Sequence, residues 1–146
     1  MQRRRCGLGH TGRAGCRRRD HAAKPDIAAW EWQPWADGIA QLASETGAMC
    51  KLSGLVTEAG RTPGPGVVRR WGDHVLACFG AARVVWGSDW PVLELSGSYA
   101  QWWGETQQLL AHLSPQEQAA IMGENAKRLY RLQDAAVFKI TPSFFH

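Results

Sequence analysis

The chain has 146 residues, 45% of them hydrophobic and 21% charged, which is the balance of one ordinary soluble globular domain. It contains no run of 18 apolar residues, so we expect no membrane partner, and we expect a cytoplasmic protein with free thiols. The positive charge is concentrated in residues 1–19, which hold seven of the 17 basic residues. The rest of the chain has 10 basic and 13 acidic residues and is therefore slightly acidic. Specific nucleic-acid binding is not expected of such a chain.

Residues 1–19 are rich in Arg and Gly and cannot bury enough apolar surface to offset the entropy of ordering them, so we predict a disordered tail. Cys6, His10, Cys16 and His21 could be drawn as a zinc site, but their spacing fits no zinc-finger pattern. The composition changes abruptly at residue 20. We therefore expect the folded body over residues 20–132 and an irregular tail over residues 133–146.

The first half of this body alternates between helix and strand patterns. Apolar residues spaced as on one helix face predict a helix over residues 34–46, which Gly47 ends. The short apolar run at residues 48–53 predicts a strand, and the segment rich in Gly, Pro and Thr at residues 54–66 predicts a long loop.

The second half repeats the alternation. A helix is predicted over residues 68–79, followed by a β-branched strand at 83–86, a loop at 87–97 and a helix at 99–113. The sequence Ser-Pro-Gln-Glu at 114–117 is a capping box that begins a further helix, which Gly123 is predicted to interrupt. Alternation of this kind predicts an α/β fold with parallel strands.

Polar residues at the ends of these strands are the candidates for chemistry, because the loops that follow parallel strands form the active face. His21 could bind a metal or a substrate oxygen, or could be a structural hydrogen bonder. Lys51 and Ser53 alternate with apolar neighbours and could face a barrel interior, or could lie on an exposed edge strand. Asp89 follows an apolar strand between Gly87 and a proline and is a candidate base, although it could also form a turn.

Four stretches together resemble the lactonase branch of the amidohydrolase superfamily, which includes fuconolactonases, rhamnonolactonases and pyrone-dicarboxylate lactonases. They are DHAAKPDI at 20–27, CKLSGLVTEA at 50–59, FGAARVVWGSDWPV at 79–92 and GENAKRLYRL at 123–132. The resemblance implies that the chain is a partial TIM (β/α)8 barrel comprising its C-terminal βα units.

The resemblance also implies roles for particular residues. Asp89 would activate the hydrolytic water as a catalytic base, His21 would be catalytic at the end of the sixth barrel strand, and Lys51, Ser53 and Trp90 would bind the small-molecule lactone. If a divalent metal such as zinc is used, His21 and Asp89 would be its ligands, and the alternative is that no metal is used. The oligomeric state is left open.

The chain departs from this family in one respect that bears on activity. No His-x-His pair occurs anywhere in the sequence, and nothing corresponds to the first five barrel strands. The alternative interpretation is therefore a catalytically inactive, truncated remnant, such as a shifted reading frame would produce, which would fold only by pairing with another chain.

Overall fold

A three-stranded parallel sheet forms the centre of the molecule. The computed structural model describes residues 18–132, and the side chains of residues 22–132. The strands are β1 (Arg18–Arg19), β2 (Met49–Leu52) and β3 (Val84–Trp86), in the order β1-β2-β3. Arg18 pairs with Met49, and Leu52 pairs with Trp86, in parallel register. The predicted parallel strands at 48–53 and 83–86 are confirmed as β2 and β3, which pair with each other.

Strand β1 corrects the predicted boundary at residue 20. Arg18 and Arg19 were assigned to the tail because of their charge, but a β-ladder is held by backbone groups, which every residue other than proline carries in full. The sheet therefore begins two residues before the expected start of the folded body.

Helices connect and cover the strands. The α-helices are α1 (Gln33–Glu45), α2 (Leu55–Glu58), α3 (Arg69–Phe79), α4 (Tyr99–Leu110), α5 (Pro115–Ala119) and α6 (Asn125–Tyr130). Short 3-10 helices span Asp20–Ala23, Ala81–Arg83 and Val92–Leu95. The predicted helices over 34–46, 68–79 and 99–113 correspond to α1, α3 and α4. None of the helices in the described part of the chain is long and apolar enough to cross a membrane.

Local sequence explains where several helices begin and end. The Ser98 side chain accepts a hydrogen bond from the Gln101 amide at the start of α4, and Ser114 and Glu117 form the predicted capping box at α5. Gly80 ends α3 with a φ of 69°, a conformation that favours glycine.

The predicted long loop over residues 54–66 is wrong in part, because these residues include helix α2, which has no side-chain cap and is held by burial of Leu55 and Val56. The predicted interruption at Gly123 takes the form of one wider π-helical turn, Ala120–Glu124, which separates α5 from α6 while the chain stays helical. Helix α2 depends on tertiary contacts that no local pattern encodes.

The hydrophobic core lies between one face of the sheet and the helices. Cys50, Leu52 and Val84 point from the strands into this core and are fully buried. The helices and their flanking turns supply the other large side chains that are fully buried, which are Ile27, Ile39, Leu55, Val56, Trp71, Val75, Leu93, Trp102, Leu110 and Ile121.

Asn125 ties the C-terminal helix to the sheet. Its side chain is 0% exposed, and its amide nitrogen donates hydrogen bonds to the carbonyl oxygens of Ala81 and Val84, each at 2.7 Å. The Arg128 guanidinium donates to the amide oxygen of Asn125. The two carbonyls flank the start of β3, so the C-terminal helix fixes the strand that precedes the candidate base.

One flank of the molecule carries exposed aromatic side chains. On α4, Gln101, Glu105 and Leu109 recur every fourth residue and contact α3 or the loop before it. Tyr99 and Trp103 lie on the opposite side of α4, where they stack at 6.4 Å and are 49% and 39% exposed. This outer flank of α4 is the side away from α3, and both of its rings contact the ring of Trp86 at the end of β3, with centroids 6.2 and 5.8 Å apart.

Candidate active site

Asp89 lies in the loop that follows β3, at the carboxyl end of the sheet. Its φ of 59° places it in the left-handed region, which aspartate adopts more readily than most residues. The Asp89 carbonyl accepts a hydrogen bond from the Leu93 amide at 2.9 Å, and the Ser88 hydroxyl accepts one from the Trp90 amide at 3.3 Å. The loop backbone is therefore held by local bonds on both sides of the carboxylate.

Lys51 and Ser53 lie on the face of the sheet opposite the helix-side core, as the alternation predicts. Lys51 pairs with Val85, which is buried but is not part of the core cluster. A Cβ at Gly87 would lie 2.6 Å from Lys51 Cε, 3.5 Å from Lys51 Nζ and 3.2 Å from Ser53 Cβ. The Lys51 side chain thus crosses the backbone of Gly87, two residues before Asp89, and a side chain at position 87 would displace it.

The loop after β3 is bonded to helix α4 through tryptophan side chains. Trp102 Nε1 donates to the Gly87 carbonyl at 2.9 Å. Trp86 Nε1 donates to Thr106 Oγ1 at 2.9 Å, and this hydroxyl in turn donates to the Trp102 carbonyl at 2.8 Å. The Trp86 and Trp102 rings stack at 6.5 Å. This connected set satisfies buried polar groups and fixes the end of β3 against α4.

Thr57 contacts the candidate base, although the sequence analysis did not single it out. Its Oγ1 donates to Asp89 Oδ2 at 2.7 Å. Thr57 lies on α2, immediately after the buried residues Leu55 and Val56. A threonine in a segment read as a loop, 32 residues from Asp89, gives no local signal of this contact.

His21 and Trp90 are placed less fully. His21 lies in the 3-10 helix Asp20–Ala23, which follows β1 at the same end of the sheet as Asp89 follows β3, and its side chain is outside the described part. Its sharing a pocket with Asp89 stays a prediction. Trp90 is 64% exposed, and its Nε1 donates to Glu94 at 3.1 Å. Its predicted role in binding stays a prediction as well.

The ligand set for a metal is incomplete among the described residues. No three His, Cys, Asp or Glu side chains in that part of the chain come together to hold a metal ion. A protein-bound zinc ion ordinarily has three or four protein ligands, and the predicted pair His21 and Asp89 supplies two. These residues do not make up a zinc site. The alternative set with Cys6, His10 and Cys16 lies outside the described part of the chain.

The thiols near the core show no sign of nucleophilic activation. Burial, together with a smaller contribution from the neighbouring Cys78 thiol, raises the pKa of Cys50 to about 12. Burial also raises the pKa of Cys78. A thiol is a nucleophile only as the thiolate, so the chemistry of this edge rests on a carboxylate, an ammonium and hydroxyls.

The sequence is similar to known proteins over most of its described length. The sequence matches the amidohydrolase family over residues 19–132. It is 41% identical over 117 residues to the L-fucono-1,5-lactonase of Burkholderia ambifaria, a match covering 77% of this chain and 40% of that enzyme. Identity to the L-fucono-1,5-lactonase of Burkholderia multivorans is 35% over 133 residues, covering 80% and 43%.

The fold of the chain is also similar to that of solved structures. A crystal structure of an amidohydrolase from Burkholderia multivorans with bound zinc matches at a TM-score of 0.73 and 35% identity, covering 80% of this chain and 44% of that chain. The chain thus spans about two-fifths of the length of the relatives it matches.

Proposed function

This chain belongs to the amidohydrolase family, and we propose that it is the C-terminal part of a lactone hydrolase in which Asp89 is the general base. The observation that carries the proposal is the 41% identity to an L-fucono-1,5-lactonase, and a carboxylate held at the carboxyl end of a parallel sheet is consistent with it. The substrate class is a small sugar lactone.

The proposed reaction uses the Asp89 carboxylate, a water molecule and the Lys51 ammonium. The Asp89 carboxylate takes a proton from water, and the resulting hydroxide attacks the lactone carbonyl carbon. The ring C–O bond then breaks, the ring oxygen leaves as an alkoxide that takes up a proton, and the product is a hydroxy acid. The Lys51 ammonium lies beside Gly87 on the face of the sheet opposite the helix-side core. It would stabilise negative charge on the substrate or on the developing oxyanion.

We further propose that the three βα units are part of a (β/α)8 barrel. A parallel sheet ordinarily has both faces and both edges covered, and closure into a barrel removes the edges. The outer flank of α4, with the exposed stacked rings of Tyr99 and Trp103, is where a neighbouring βα unit would pack.

The second candidate is a catalytically inactive remnant of such an enzyme. The chain spans 40% of one lactonase and 43% of the other, and catalytic groups in a barrel come from the ends of several different strands. We therefore expect the 146-residue chain alone to have little or no lactonase activity, because absent groups and lost positioning each cost orders of magnitude in rate.

The experiment joins the first part of the Burkholderia ambifaria lactonase, up to the start of the match, to residues 18–146 of this chain. We expect this hybrid to release acid from L-fucono-1,5-lactone, the isolated chain to release almost none, and Asp89→Asn to abolish the activity of the hybrid. Asp73→Asn is the matched control, since Asp73 is an exposed carboxylate ion-paired with Arg69. A folded hybrid without activity would refute the proposed function.

A further inference from the structure

The contact between Thr57 and Asp89 joins two loops at the candidate active site. The donor lies on the helix after β2, the acceptor lies in the loop after β3, and the 2.7 Å bond between them is partly buried. Hydrogen bonds to a carboxylate are stronger than those between neutral groups. The contact therefore restrains the side chain of the proposed base from outside its own loop.

Thr57 lies in a segment that is anchored on both sides. Leu55 and Val56, which precede it, are 0% and 1% exposed and anchor helix α2 in the core. The Glu58 carbonyl, which follows it, accepts a hydrogen bond from the Ala28 amide at 3.1 Å. The threonine hydroxyl is thus presented from a segment that is fixed on both sides.

Asp89 is held along its backbone, and its side chain retains two torsions that the backbone does not set. A general base must bring one carboxylate oxygen within hydrogen-bond reach of the attacking water. An error of about 1 Å in the placement of a reacting group can cost roughly 100-fold in rate. Bonding Oδ2 to a fixed hydroxyl sets the plane of the carboxylate.

We infer that Thr57 is a positioning residue for Asp89, selecting the rotamer in which the carboxylate serves as base. The inference rests on the proposed function. It assigns a role to the short helix after β2, since the burial of that helix determines where the hydroxyl stands. Thr57 itself exchanges no proton with substrate.

The first test measures the rotamer of Asp89 in the full 146-residue chain by NMR, from the three-bond couplings of its β-protons. We expect one rotamer in the unmodified chain and in Thr57→Ser, and averaged couplings in Thr57→Val, which keeps the shape but lacks the hydroxyl. Thr46→Val is the matched control, because Thr46 Oγ1 donates at 2.7 Å to the Leu42 carbonyl and not to Asp89. Thr57→Ala replaces the valine variant if that variant does not fold.

The second test uses the hybrid enzyme. Thr57→Val should lower kcat about tenfold with KM unchanged, and Thr57→Ser should restore it, because a misdirected base slows the chemical step without weakening substrate binding. A fixed Asp89 rotamer in Thr57→Val, or an unchanged kcat in an active hybrid, overturns the inference alone. A hybrid that is inactive although the Asp89 rotamer depends on Thr57 refutes the proposed function, and the catalytic role of the contact with it.

Discussion

Replacing Asn125 should destabilise the chain far more than replacing its exposed neighbours. Asn125→Ala removes a buried hydrogen bond to the Val84 carbonyl and a partly buried one to the Ala81 carbonyl, each worth about 0.5–1.5 kcal/mol, and leaves those carbonyls without this donor. The expected loss in the free energy of unfolding is about 2–4 kcal/mol. Asn125→Asp should cost at least as much, because it has the same shape but presents an acceptor to two carbonyl acceptors.

Urea unfolding of the 146-residue chain, followed by tryptophan fluorescence, measures this loss at constant m-value. Glu124→Ala is the control, since Glu124 is exposed and makes one surface ion pair with Lys127 at 3.2 Å. Its expected effect is below about 1 kcal/mol. Amide exchange should also quicken at Val84–Trp86 in Asn125→Ala. If the two alanine variants are equally stable, the argument that Asn125 fixes β3 is wrong.

Two further predictions concern stability around β2. A Cβ at position 87 would meet Lys51 Cε, the far end of a flexible side chain, so Gly87→Ala should displace that lysine and lower the free energy of unfolding by less than about 1 kcal/mol. A loss above about 2 kcal/mol in urea unfolding would contradict this. The Cys50 thiol has an ordinary pKa of 9.0 and a folded pKa of about 12, so between these pH values the unfolded thiol ionises and the folded one does not. The free energy of unfolding therefore keeps the full contribution of the neutral Cys50 thiol below pH 9. Above pH 9 it falls by roughly 1.4 kcal/mol per pH unit up to about pH 12, and Cys50→Ala should flatten that slope.

The features of the fold and site that could be predicted are those encoded by the periodicity of apolar residues and by the residues that begin or end a helix or strand. The alternation of Lys51 and Ser53 with apolar neighbours predicts a common face, and the structure places both beside Gly87. Asp89 could be identified as a candidate because it follows a buried strand directly. Each of these signals lies within a few residues of the position it describes.

The parts that could not be predicted depend on contacts between distant segments. The four residues of α2 carry no helix cap, and Leu55 and Val56 hold it only once the core exists. Thr57 meets Asp89 for the same reason, and Asn125 reaches Val84 across 41 positions. Arg18 shows the converse case, in which composition misleads because sheet pairing uses the backbone.

The outer flank of α4 has a consequence for the isolated chain in solution. Tyr99 and Trp103 keep a stacked aromatic surface in contact with water, and Leu95, 76% exposed, adds to the apolar surface of the described chain. Exposed apolar surface of this kind favours self-association, which stabilises the folded form by mass action. The melting temperature of the chain should therefore rise with protein concentration, and its intrinsic stability is the value approached on dilution.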